Sequence, residues 1–381
     1  MRHPSLQRSR HRVSKVLALF CTAFSITTVA SHAATGCTGV QLFPDSNIQN
    51  AISSNGGGTT FCFADGSYTI KAAIQPKDGD RFIGVATDGT QPNIANTGTG
   101  GVFWGGQNVL VRALGIGPSD AFGLNVGTGS TIMGNRIHDN QTCGIETVGS
   151  HMTIEGNEID HNGTLAARGI ACSGGVKLHG TQGKDSGAYN IVSDNSVHDN
   201  AGNGLHVDCD GHDNTFSGND VFDNAGIALD DETSYDNTFT NNDVHDNGFA
   251  WSVYAIDILD SIGTIVTGNT LAHNYRGVNI WADRRATLSA PQPGLGCANA
   301  SLTGYHPSGV SITGNTLSVP ERSGFAPSGA VPLSAATFES NSWIGSMPAG
   351  TNWRIPSDST ATWIQWQQAG QDAHGHDGIS P

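Results

Sequence analysis

Gly204-Leu-His-Val-Asp208, Gly226-Ile-Ala-Leu-Asp230, Ala255-Ile-Asp-Ile-Leu259 and Gly277-Val-Asn-Ile-Trp281 read as one short strand written four times. Gly144-Ile-Glu-Thr-Val148 and Gly175-Val-Lys-Leu-His179 fit as two earlier copies. The second and fourth residues are mostly aliphatic, so an alternation of period two turns them toward a core and sends the third and fifth to the opposite face. On this alignment the third column holds Glu146, Lys177, His206, Ala228, Asp257 and Asn279, and the fifth holds Val148, His179, Asp208, Asp230, Leu259 and Trp281. Acids, bases and an aromatic ring are thereby expected on one surface.

A second signal runs through the chain as a turn dipeptide: Gly134-Asn135, Gly156-Asn157, Asp194-Asn195, Gly218-Asn219, Asn241-Asn242, Gly268-Asn269 and Gly314-Asn315. The intervals are 22, 38, 24, 23, 27 and 46 residues, a regular period with insertions, which is the signature of a solenoid with loops leaving one face. Each unit reads as a strand, the Asn turn, a piece such as Val197-His-Asp-Asn200 or Val244-His-Asp-Asn247, and then the Gly-led strand. Three short strands per unit describe a coil of a parallel β-helix, each coil stacked on the next at about 4.8 Å. The seven turn asparagines are expected to form one internal ladder that satisfies turn backbone groups. The Asp-Asn pairs after the second strand are expected as turn formers that tolerate left-handed backbone.

The ends of such a solenoid need covering. Ile48-Gln-Asn-Ala-Ile52 reads as a short amphipathic helix over the first coil, and Gly57 to Ile70 as strand, turn and strand. At the other end Trp363 and Trp366 suit a capping helix, with His374 and His376 in a frayed tail, and 287–307 reads as a long loop. The expected organisation is a leader at 1–33 and one all-β domain at 34–381. Within it, 34–100 form the N-terminal cap and first coils, 101–345 the core coils, and 346–381 the C-terminal cap and tail.

The leader is read from Arg2, Arg8, Arg10, Arg12 and Lys15 ahead of an apolar run ending in Ser31-His-Ala33, the pattern of a secretory signal peptide. It holds five of the 18 Lys and Arg and none of the 33 Asp and Glu, so the remaining 13 cations against 33 anions leave a formal −20. That charge argues against a nucleic-acid partner. The expected location is secreted or periplasmic, with no membrane contact after the leader is removed, and the expected state a monomer. Six cysteines remain after Cys21 goes, an even number that favours disulfides in an exported chain; Cys37 with Cys62 is the first candidate pair and Cys143 with Cys172 the second.

With these motifs in place the chain resembles the right-handed parallel β-helix proteins of the pectate-lyase-like superfamily. The matching residues are Gly174-Gly175-Val-Lys177, Asn195 to Asp208 with its Asn, His and Gly spacing, Gly226 to Ser234 with Glu232 and Ser234, and Trp366 to His374 near the end. The resemblance covers most of residues 37–376. It implies the right-handed solenoid and a polysaccharide-directed chemistry drawn from lyases, glycoside hydrolases, epimerases and esterases. His206 stands where those proteins usually place Trp. Asp230-Asp231 is similar to the paired aspartates of polygalacturonase-type hydrolases, whose Asn-Thr-Asp, Gly-His-Gly and Arg-Ile-Lys motifs are absent here.

Two chemistries are open to these residues. On the column alignment Asp208 and Asp230 stand about 5 Å apart and Asp230 and Asp257 about 8 Å. Those separations suit the acid and the base or nucleophile of a glycosidase, which needs no cofactor. Asp208, Asp230, Asp257, Glu232, His206 and Lys177 are the candidate catalytic residues. The candidate substrate contacts are His179, Trp281, Tyr254, Arg284, Arg285 and Glu146. Alternatively, a lyase or C5-epimerase would use Lys177 or His206 as base on a uronate polymer, with Ca²⁺ held by Asp208, Asp210, Asp230 and Glu232. A glycan-binding β-helix without catalysis is the third reading, and solvated surface acids are the plainest account of the same residues. The expected partner in all three functional readings is an extracellular polysaccharide.

Overall fold

The computed structural model describes residues 36–86, 89–165, 174–180, 185–282, 306–318, 331–346, 353–355 and 359–380. The expected leader, Arg284, Arg285, Cys172 and the 287–305 part of the expected loop lie outside them.

Among the described residues the strands are short and, apart from the pair Trp353–Ile355 and Ser359–Ala361, parallel. Within the described residues sheet 1 has 12 strands, from Val40–Leu42 to Ala336–Glu339; sheet 2 has 12, from Ser67–Ile70 to His376–Ser380; sheet 3 has 8, from Phe103–Trp104 to Val278–Trp281. One coil runs Thr215–Ser217 in sheet 1, Asp220–Phe222 in sheet 2 and Leu229–Glu232 in sheet 3. The next begins at Thr238, so a repeat of 23 residues winds once round the core. This is the parallel β-helix that the dipeptide period requires.

In-register stacking follows from the central residue of each three-residue strand. In sheet 1, Ile154, Val192, Phe216, Phe239 and Val266 pair in succession, all fully buried. Phe216 and Phe239 stack at 4.8 Å between ring centroids. A slip of one residue would exchange this file for flanking residues that are mostly threonine and serine, so burial fixes the register.

The expected ladder is present and longer than the seven residues predicted. Each asparagine Nδ2 from Asn135 to Asn315 donates to the Oδ1 of the next, and Asn315 to Asn341. Asn341 then donates to Asp372 Oδ1. The Asp-Asn turns hold a second ladder: Asn140, Asn162, Asn200, Asn224, Asn247 and Asn274 are linked in the same way, while Asp139, Asp199, Asp223 and Asp246 take the left-handed backbone.

Both ends are covered. Helix α1, Ile48–Ser53, buries Ile48 and Ile52 over the first coils. Helix α2, Trp363–Gln368, opens on a capping box between Thr362 and Gln365 and seats Trp366 edge-on against Phe338 at 5.1 Å. Strands Thr60–Phe63 and Ser67–Ile70 belong to different sheets, so the turn between them is a corner of the helix. The tail corrects one expectation: His376–Ser380 is no frayed end but the last strand of sheet 2, paired with Ser342–Ser346. Cys37 and Cys62 form a disulfide, and Cys143 is buried.

Candidate active site

Sheet 3 carries the expected surface, with one change of register. Leu205 pairs with Leu229, His206 with Asp230, Val207 with Asp231 and Asp208 with Glu232. The unit that matches Gly204-Leu-His-Val-Asp208 is therefore Ala228-Leu-Asp-Asp-Glu232, two residues beyond the one read from the sequence. Ala228 leaves the outward column. Asp208 stands beside Glu232, not Asp230, and Asp230 and Asp257 are direct neighbours and not diagonal ones, on strands about 4.8 Å apart. The cause is Asp231, an acid at an inward position paired with Val207 and Ile258. It is buried and accepts from Ser234 Oγ, from Asn237 Nδ2 at 2.9 Å and from Thr264 Oγ1 at 2.5 Å. Three donors satisfy a carboxylate that the core would otherwise exclude.

The corrected outward rows are Glu146, Lys177, His206, Asp230, Asp257 and Asn279, and beside them His179, Asp208, Glu232, Leu259 and Trp281. All six residues expected to be catalytic fall in these two rows. Lys177, His206, Asp208, Asp230 and Asp257 are buried although they face away from the core.

Lys177 Nζ donates to Asp208 Oδ2 at 2.7 Å, and Thr233 Oγ1 donates to Asp208 Oδ1 at 3.0 Å. His206 Nε2 lies 3.2 Å from Glu232 Oε2 and 3.5 Å from Asp230 Oδ2, at ion-pair distance but without a hydrogen bond. Asp230 Oδ2 accepts from Asn203 Nδ2 at 2.7 Å. Asp257 Oδ1 accepts from Asn279 Nδ2 at 2.8 Å and from Trp281 Nε1 at 3.0 Å. Trp281, expected as a ring platform, orients a carboxylate.

Burial sets the protonation of this cluster. Asp230 is pushed well above the usual carboxylate range by desolvation, reinforced by the charges of Glu232, Asp257 and Asp208 and opposed by Lys177. Asp257 is raised to about 7, again chiefly by burial, with Glu232 adding and its two side-chain donors subtracting. Glu146 is raised by burial against the pull of Lys177, and His179 is lowered by burial and then by Lys177. His179 and Glu146 approach to 3.8 Å.

The other expected residues divide. Tyr254 precedes the strand Ile256–Leu259, and the Arg276 guanidinium sits 5.2 Å from its ring centroid. Asp210 lies in the turn after Asp208 and is not among the groups that approach one another; of the four acids expected at calcium, Asp208 and Glu232 come together with His206, within 4.8 Å. Sequence reasoning missed Asn203, Thr233 and Arg276. Asn203 could have been found as the polar residue before the Gly-led strand, while the contacts of Thr233 and Arg276 come from neighbouring coils.

A family model described as right handed beta helix region matches residues 176–290. Among curated proteins, none matches this sequence. Among solved structures, the A-module of the mannuronan C-5 epimerase AlgE6 from Azotobacter vinelandii is 16% identical, with 83% of this chain and 94% of that one covered and a TM-score of 0.52. The catalytic unit of a thermostable α-1,3-glucanase from Streptomyces thermodiastaticus is 12% identical, with 87% and 65% covered and a TM-score of 0.51. A double mutant of the periplasmic alginate epimerase AlgG is 13% identical, with 80% and 84% covered and a TM-score of 0.50. Likeness at these identities speaks for the fold alone.

Proposed function

We propose that this chain, a right-handed parallel β-helix of the pectate-lyase-like type, hydrolyses glycosidic bonds of a polysaccharide with the carboxyl pair Asp230 and Asp257. The observation that carries this reading is the pairing itself. Two buried carboxyls on adjacent strands are both raised above the usual range, Asp257 to about 7. The pair therefore retains a proton where ordinary carboxyls have lost theirs, and a singly protonated pair supplies an acid for the leaving oxygen and a carboxylate for the sugar carbon. Side chains leaving paired positions suit the shorter separation, about 5–5.5 Å, of a retaining glycosidase.

In this assignment Asp230, whose charged form is disfavoured by burial and then by Glu232, Asp257 and Asp208, is the acid. Asp257, aimed by Asn279 and Trp281, is the nucleophile. Glu232, His206, Lys177 and Asp208 position substrate hydroxyls and set the field on the pair. Tyr254, Trp281, Glu146 and His179 are the proposed sugar contacts. The carboxylates crowded along the rows repel a polyuronate, which favours a neutral or weakly charged glycan. Lys177 is held by Asp208 as an ammonium and would have to surrender that proton before acting as a base, which weighs against elimination or epimerisation.

The deciding measurement is a polysaccharide panel read both for new reducing ends and for the ultraviolet absorbance of an unsaturated uronate. Reducing ends without that absorbance support hydrolysis. Absorbance, or epimerised product, moves the chemistry to Lys177 and His206, and tight binding with no product makes the protein a glycan binder.

The pH profile gives a separate expectation. Because the active pair is singly protonated, kcat should rise as pH rises through about 7, where Asp257 loses its proton. A profile that peaks between about pH 4 and 5 and is lost by neutrality would remove the pair from the mechanism.

A further inference from the structure

We infer that His206, Asp208 and Glu232 form a binding site for a first-row divalent cation of the zinc or manganese class, beside the proposed catalytic pair. The inference does not rest on hydrolysis, since binding is read without any glycan.

The repeat builds the site. Asp208 and Glu232 are paired across neighbouring strands, and His206 is two residues before Asp208, so all three leave the same face. One ligand atom from each lies within 4.8 Å of the other two. The second observation is the imidazole. His206 is 7% exposed, and its Nε2 points into this group without a hydrogen bond. A buried ring nitrogen without a hydrogen bond is unfavourable, and a cation between it and the two carboxylates removes that defect.

Ligand chemistry selects the cation. Calcium takes six to eight oxygens, whereas one imidazole with two carboxylates suits zinc, manganese and their neighbours. The 3.2 Å from His206 Nε2 to Glu232 Oε2 is close to the edge of a tetrahedron with ligands about 2.0–2.1 Å from its centre. Three protein ligands leave one position for water or a substrate oxygen. Two carboxylates and a neutral ring balance a double positive charge. Lys177 opposes binding, because its ammonium already holds Asp208 Oδ2.

The test is calorimetric titration of the EDTA-stripped protein with ZnCl₂, MnCl₂ and CaCl₂, with cobalt absorbance as a reporter of a nitrogen ligand. The expected result is one saturable zinc or manganese site per chain, much weaker for calcium. His206→Gln and Glu232→Gln should each weaken it on the order of 10–100-fold, and Lys177→Gln should tighten it. Glu232 is partly exposed, so its variant guards against loss of fold at His206. Asp220, Asp243 and His245 form another group with ligand spacing, on an exposed part of sheet 2, and His245→Gln is the control. No saturable binding, calcium preferred over zinc, or affinity lost with His245→Gln and kept with His206→Gln would overturn the inference.

Discussion

Asp230→Asn should lower turnover by about 10²–10⁴-fold, the range of general acid–base catalysis, with the fold intact. The change keeps the shape and the contact with Asn203 Nδ2, which an amide oxygen can still accept. It removes the proton that the carboxyl holds and the negative charge it shares with Asp257 and Glu232. The loss should fall on kcat, since a group acting only in the transition state leaves KM nearly unchanged. A loss confined to KM would make Asp230 a binding residue.

Stability should move the other way at the same pair. A carboxyl raised to about 7 in the folded chain, against 3.8 as its ordinary value, binds its proton more tightly when folded. Its favourable contribution is complete below that ordinary value and is lost as pH rises through about 7. Asp257→Asn should therefore lower activity and yet raise the melting temperature above pH 7, relative to the parent. Catalysis and stability conflict here because burial supplies both the raised pKa and the cost of ionisation.

The repeat was legible because burial imposes a strict period on a coil, and every glycine-asparagine turn marks it. The column of Glu146, Lys177, His206, Asp257 and Asn279 was legible for the same reason. The register of one coil was not. Gly226-Ile-Ala-Leu-Asp230 satisfies the aliphatic alternation by itself, while the true unit carries Asp231 inward, where the pattern demands an aliphatic residue. Only Ser234, Asn237 and Thr264, the last contributed by the following coil, make that acid acceptable. A pattern read within one unit cannot show donors that arrive from another. The protonation of Asp230 and Asp257 was hidden likewise, since it depends on burial and on Glu232, whose place followed from the corrected register.

The asparagine ladder carries the largest expected effect on folding. Asn219 Nδ2 donates to Val192 O and to Asn242 Oδ1, both at 2.9 Å. Its own Oδ1 accepts from the backbone N of Asn195 at 3.0 Å and from Asn195 Nδ2 at 2.9 Å. Asn219→Ala thus deserts a carbonyl, an amide oxygen, a backbone N–H and a side-chain N–H in a fully buried turn. One unsatisfied buried group costs about 1–3 kcal/mol, and partial rearrangement offsets some of the four, so a net loss of about 3–5 kcal/mol is expected in denaturant unfolding. Asn219→Asp separates geometry from chemistry. It keeps the acceptor for Asn195 but places an oxygen against the Val192 carbonyl and Asn242 Oδ1, so it should recover only part of the loss. The end of the ladder supports this asymmetry: the single acid there, Asp372, accepts from Asn341 and from the Trp343 indole and faces no further acceptor in the series. An Asn219→Ala variant as stable as the parent would mean that the ladder only accompanies the apolar files, and that Phe216 and Phe239 alone set the register of these coils.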